Sequence, residues 1–259
     1  MQKTKLLVAV LAALAATPVL AADAPASPHT FSSNVALVSD YLYRGISQSG
    51  ANPAIQGGFD YAHSSGAYAG MWGSSISTLG DAGLANSAGL ELDTYFGYKG
   101  SMDPISYDVG FLRYNYPGEY GAGITKADTN EIYGALTYSY VTAKLSYSLG
   151  DLFGVSEAKG STYIELNASY PIADAGVVIS AHYGKQTYKG ITADGLKAGG
   201  TDPTYADYKV GVTKDFSGYV VGLAYSDTDT DPVGFYTSTT PEAKELGKGT
   251  AVLSLSRSF

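Results

Sequence analysis

The chain has no cysteine, a single tryptophan, three histidines and 15% charged residues, against roughly 25% charged residues in soluble domains. Without cysteine there are no disulfides, so an exported chain of this kind must draw its stability from a large packed or fully paired β-structure. So little charge disfavours a salt-bridge-laced helical protein. Beyond the N-terminus there are no long apolar runs, and a multi-helix membrane protein is excluded because each spanning helix needs about 20 apolar residues. What is abundant points to sheet and turn: 23 tyrosines and 32 glycines in 259 residues.

The N-terminus carries Lys3 and Lys5, the apolar run Leu6 to Ala16, Pro18, and the small-residue stretch ending Ala21-Ala22-Asp23. This order matches the three regions of a secretory signal, and cleavage after Ala21 or Ala22 is expected. The expected organisation is a signal peptide over residues 1–22, a short periplasmic segment over 23–30, and one domain over 31–259. Loss of Lys3 and Lys5 leaves 14 basic against 24 acidic residues, a formal charge of −10. Nucleic acid is excluded as a partner on that balance.

From Phe31 onward, segments between turn signals alternate apolar and polar residues, and no stretch of helical length keeps a 3.6 period. Pro241 to Gly247 alone hints at a helical turn. The apolar phase runs Val35, Leu37, Tyr41, Tyr43, then Ile55, Phe59, Tyr61, then Tyr68, Trp72, Ile76, then Leu90, Leu92, Phe96, Tyr98, and continues so to Leu253, Leu255, Phe259. This predicts about twelve strands of about ten residues, the length with which a tilted strand crosses a bilayer. The connections alternate long and short, from GISQSGANP and HSSGA to KDFSG and DTDTDPVGFYTSTTPEAKELGKG. A soluble sandwich gives no reason for that rhythm. A closed antiparallel up-and-down transmembrane β-barrel does, with tight periplasmic turns and long external loops. Many tyrosines near strand ends suit an interfacial aromatic girdle. The chain ends on a strand residue, Phe259, whose apolar face a barrel would protect by pairing last strand with first.

Asn34 to Ser77 resembles the opening of the TorF-type porins, a proteobacterial family, through Ser39-Asp40-Tyr41 with Arg44-Gly45, Gln56-Gly57-Gly58-Phe59-Asp60-Tyr61, and Gly70 with Trp72-Gly73. Glu91 to Tyr98 and the terminal strand resemble it too. The resemblance implies an outer-membrane barrel of porin type and names no solute. The terminal series also resembles the signal read by the outer-membrane assembly machinery, with Arg257 where an apolar or aromatic residue is usual.

A charge facing mid-bilayer costs about 2 to 4 kcal/mol, so each strand is phased to keep charges inward. That rule gives Asp40, Arg44, Gln56, Asp60, Glu91, Asp93, Tyr95, Glu131, Lys144, Glu165, Asn167 and Lys209 as pore-lining candidates, with Tyr163 and His182 on the same side. Asp40 and Arg44, four apart and about 13 Å apart on one strand, should each meet a charge on a neighbouring strand. Two outcomes compete: an acidic, water-filled pore for cations or small polar solutes, and an interior closed by salt-bridge networks. The long loops after Gln186 and Asp227 are candidates to fold inward. Outer-membrane lipid and lipopolysaccharide are the expected surroundings.

Asp227, Asp229 and Asp231 alternate as in a calcium loop, but Pro232 stands where glycine is needed and Ser238 where a bidentate glutamate is. None of His29, His63 and His182 sits in a pattern tying it to a serine and an orienting carboxylate, so no catalytic residue is assigned and an enzyme is not expected. No cofactor or metal is implied.

Overall fold

The computed structural model describes residues 27–230, 235–237 and 244–259. The expected signal peptide lies outside the described residues, as does half of the segment expected to follow it. The strands are β1 His29–Val38, β2 Leu42–Tyr43, β3 Ile46–Ser47, β4 Ala54–His63, β5 Ala67–Ser75, β6 Leu90–Met102, β7 Ile105–Asn115 and β8 Thr129–Tyr138. They continue as β9 Val141–Ser148, β10 Thr162–Ile172, β11 Val177–Thr187, β12 Tyr205–Phe216, β13 Tyr219–Thr228 and β14 Thr250–Ser258. Two short helices, α1 Thr78–Asp81 and α2 Ile191–Ala198, lie in long connections.

All strands except β2 and β3 form one closed antiparallel barrel, each pairing with its sequence neighbour, and β1 pairing with both β4 and β14. Closure is by backbone: Asn34 faces Ser258, Leu37 faces Leu255, and the Ser33 and Phe259 amides and carbonyls exchange bonds. The edge that an open sheet would expose is thereby removed. The twelve-stranded barrel expected from strand length and loop rhythm is the architecture found. The hairpin β2–β3 belongs to the first long connection and not to the wall.

Tight turns close one end. Between β12 and β13 both Ser217 (φ 57°) and Gly218 (φ 89°) are left-handed, as a two-residue hairpin with right-handed strand twist requires. At this end also lie the first residue of β1 and the last of β14. The other end carries the six long connections.

Outside, the wall is apolar along its whole circumference: Ile164 is 59% exposed, Leu136 58% and Leu223 54%. A continuous apolar band on that scale is incompatible with water and matches lipid. Toward the turn end it is edged by Phe31, Tyr61, Tyr98, Tyr107, Tyr138, Tyr140, Tyr170 and Tyr219, and toward the loop end by Tyr183, Tyr208 and Tyr225. Arg257 lies at the turn-end rim, its guanidinium 4.4 Å from the Tyr219 ring centroid and 5.4 Å from that of Phe259. A cation at the headgroup level costs little, which explains the departure from an apolar residue there.

Two expectations are corrected. Strand β5 has the opposite phase: Ala67, Ala69 and Met71 are exposed, while Tyr68 and Trp72 turn inward and Ile76 is buried beyond the strand. The first strand ends at Val38, so Tyr41 and Tyr43 are not on the lipid face but buried and half-buried in the first loop.

Candidate functional site

The inner face of the wall is polar, and its side chains fall into tiers. Nearest the turns, the Tyr68 hydroxyl donates to Asp108 Oδ1 at 2.6 Å and meets the Tyr133 hydroxyl. Midway, Tyr95 donates to Asp60 Oδ1 at 2.5 Å, Lys144 pairs with Glu165 at 3.6 Å, and Asn167 donates to Glu165 Oε2 at 2.8 Å. His182 lies between Asn167 Oδ1 (2.7 Å) and Asp207 Oδ2 (2.8 Å), with the Tyr163 hydroxyl 3.0 Å away. Lys209 stands directly across from His182 on β12.

Glycines make room for these tyrosines. A Cβ on Gly70 would lie 2.6 Å from the Tyr95 ring, and the Tyr68, Tyr133 and Tyr163 rings cover Gly97, Gly110 and Gly184 in the same way. Each ring lies flat along the wall over a neighbouring strand, shielding backbone that a glycine leaves bare. The lumen is thereby kept wider than twelve strands bearing upright aromatic rings would allow.

At the loop end the lumen is occupied by the first loop, residues 39–53, turned inward through Arg44 (φ 48°) and Gly45 (φ 78°). A Cβ on Gly45 would lie 2.5 Å from Thr228 and 2.7 Å from Asp207, so the loop tip touches the β12–β13 wall at a point only glycine fits. Arg44 crosses the barrel. It donates to Glu131 Oε2 at 2.8 Å and to Gln186 Oε1 at 2.6 Å, and its guanidinium sits 4.2 Å from the Tyr163 ring centroid and 4.9 Å from that of Tyr43. The ion pair is buried, with side chains 6% and 3% exposed. Tyr43 meets Tyr114 at 2.6 Å, and Tyr41 donates to Glu91 Oε1 at 3.0 Å. Asp40 accepts from Ser47 and Ser49 within its own loop.

Around this loop a hydrophobic cluster of Tyr41, Ala54, Ile76, Tyr114, Tyr116 and Ala127 packs at the loop end of the lumen, with Trp72 and Phe153 against it. The last long connection reaches over it through the Ser47 amide on Leu246 O at 2.8 Å and Lys244 Nζ on Gly50 O at 2.8 Å. Burial first, and the Glu91 carboxylate second, push the phenols of Tyr41 and Tyr116 well above their ordinary value, so both loop tyrosines remain protonated donors.

Gln56, Asp60, Glu91, Asp93, Tyr95, Glu131, Lys144, Glu165, Asn167 and Lys209 all lie on the inner face of the wall, and Asp40 and Arg44 reach the interior from the loop. Arg44 meets a charge across the lumen, not on an adjacent strand. Sequence reasoning missed Gln186, Asp207, Asp108, Tyr114 and Tyr43. The first three share the inward phase of His182, Lys209 and the strand around Val109, so the same period-2 rule reaches them.

The remaining constellations do not assemble. Asp227 accepts from Tyr208 at 2.9 Å, Asp229 holds the Ala206 amide at 2.6 Å, and Asp231 lies outside the described residues. Among the described residues no three His, Asp or Glu converge as a metal cage. Both ring nitrogens of His182 face Asn167 and Asp207, His29 faces Tyr61, and His63 faces Ser65 in an exposed turn, where no carboxylate among the described residues orients it.

A closed barrel with every wall strand paired, apolar outside and polar within, defines a membrane-spanning β-barrel, because closure leaves no wall strand with an unpaired edge in lipid. The chain belongs to the Gcw_chp family, described as a bacterial protein of unknown function, whose model matches residues 22–259. Among curated proteins no relative matches. Among solved structures, the KdgM porin in complex with disordered oligogalacturonate is similar at 7% identity over 89% of this chain and 98% of that one, with a TM-score of 0.45. The outer membrane protein opdK from Pseudomonas aeruginosa is similar at 12% identity over 80% and 58%, with a TM-score of 0.40. OccK5 from the same organism gives 12% identity over 90% and 67%, with a TM-score of 0.41.

Proposed function

We propose that this protein is an outer-membrane porin through which small polar solutes diffuse passively, exported by a cleaved signal peptide and biased toward cations by its acidic interior. The observation that carries the reading is the continuous polar, charged inner face of a twelve-stranded barrel, intermediate between side-chain-filled eight-stranded barrels and open sixteen-stranded ones. The resemblance of Asn34 to Ser77 to the TorF-type porins supports it. Solute selection in this reading is by size at the mouth, where the first loop and Arg44 narrow the path, and by charge below it.

The same loop favours a second reading, a non-transporting barrel acting through its external loops, because Arg44 and the cluster around Tyr41 pack at the loop end of the lumen. Planar-bilayer recording separates the two. The porin reading expects discrete single-channel steps from folded, heat-modifiable protein, and reversal potentials that shift when Glu91 and Asp93 are neutralised. Silent bilayers from such protein would establish the second reading.

A further inference from the structure

Beneath the first loop, the charges do not balance. Glu91 and Asp93 lie there on β6 while Glu131, on β8, acts on Asp93 only through space, and the guanidinium of Arg44 is spent on Glu131. Glu91 and Asp93 share the inner face of β6 two residues apart, which places their Cα atoms about 7 Å apart. Glu91 is fully buried and Asp93 is 7% exposed. One oxygen of each, Glu91 Oε2 and Asp93 Oδ1, has no hydrogen-bond partner. No ion pair to Lys, Arg or His reaches Glu91 or Asp93 among the described residues. The groups around the pair are Tyr41 from the first loop, Ser74 and Trp72 from β5, Tyr114 from β7, Tyr116 beyond it, and Glu131 from β8, none of which is a cation.

We infer that Glu91 Oε2 and Asp93 Oδ1 form a binding site for a small monovalent inorganic cation such as sodium, at the point where the external mouth opens into the lumen. Uncompensated buried carboxylate oxygens are costly unless a proton or a cation meets them, and the cation is the case tested below. The available donors are all oxygen, which suits a hard ion and not a soft one. A divalent ion wants six or more oxygen ligands, and among the described residues no third carboxylate converges on the pair, so two carboxylate oxygens and water suit a singly charged ion. The site deepens the cation bias proposed above by naming where a cation first exchanges water for protein. It also couples that cation to the plug, because Tyr41 of the first loop donates to the other oxygen of Glu91.

The chain's single tryptophan reports on this site. Trp72 pairs with Asp93 in the sheet register and packs edge-on against Tyr41 at 5.4 Å between centroids. In detergent-folded protein at fixed pH and fixed ionic strength, sodium chloride is exchanged stepwise for N-methyl-glucamine chloride while Trp72 emission and acrylamide quenching are followed. The inference expects a saturable sodium-dependent change, weakened at least tenfold in half-saturation by Asp93→Asn and abolished in the Glu91→Gln, Asp93→Asn double variant. Sodium NMR line broadening by the wild type, reduced by Asp93→Asn, provides a second readout should the double variant fail to fold. An unchanged emission across the exchange, an equal response to both cations, a response to pH alone, or an undiminished response in folded variants would each overturn it. Binding is read without conductance, so absence of channel steps would remove the porin reading and leave this site standing.

Discussion

Arg44→Leu is the perturbation that most sharply probes the first loop. Arginine to leucine keeps apolar volume against Tyr43 and Tyr163 but removes the bonds to Glu131 and Gln186 and leaves Glu131 buried beside Tyr114 with no cation. Removing one member of a buried ion pair costs about 3 to 5 kcal/mol, because the remaining charge stays desolvated. The barrel itself need not bear that cost: withdrawal of the loop lets water reach Glu131 while the strand pairing of β1 with β4 and β14 stays intact. The docked state should therefore lose about two to three and a half orders of magnitude relative to the withdrawn one, at about 1.4 kcal/mol per tenfold. The expected result is a larger single-channel conductance than wild type, with red-shifted, more quenchable Trp72 fluorescence as Tyr41 leaves its edge. A charge-reversed pair, Arg44→Glu with Glu131→Arg, should restore much of the wild-type behaviour. If Arg44→Leu folds with unchanged conductance and unchanged Trp72 emission, the loop is held by its hydrophobic cluster alone and the latch argument fails.

Three further outcomes are expected. Gly70→Val should lower the temperature at which the folded electrophoretic form is lost, since its side chain must displace the Tyr95 ring lying 2.6 Å from the Cβ position, whereas Gly134→Val, in extended backbone with open space around it, should not. Tyr95→Phe keeps the ring over Gly70 but removes a hydrogen bond to a carboxylate, a loss of about 1.5 to 3 kcal/mol in urea unfolding from vesicles. Leu223→Arg, in the middle of β13 and facing lipid, should cost about 2 to 4 kcal/mol in the same assay, while Arg257→Leu at the rim should change it by no more than about 1 kcal/mol.

The barrel was legible in the residues because lipid imposes a rule with few exceptions. A strand facing lipid on one side and water on the other must alternate, and successive crossings must be joined at opposite ends, which makes strand number and loop rhythm readable. Phase failed at β5, where the sequence AYAGMWGSS offers apolar residues on both faces. The large rings of Tyr68 and Trp72 look like the lipid side, yet they turn inward to cover Gly97 and to meet Tyr41. The end of β1 failed for a related reason: Tyr41 and Tyr43 continue the apolar phase of Val35 and Leu37 after the strand has stopped. The polar Ser39 in that phase was the available signal. That Arg44 reaches Glu131 and Gln186 is a contact across the lumen, set by closure and by a loop folding back, and no local spacing encodes it.

Because the natural chain has no cysteine, single cysteines placed along β14 test the inside-out barrel directly. In intact vesicles, a small membrane-impermeant maleimide should label Ser254→Cys and Ser256→Cys, which face the lumen, and spare Leu253→Cys and Leu255→Cys, which face lipid. Equal labelling of all four positions, or labelling of the leucine pair in preference to the serine pair, would contradict a closed wall with a wet interior.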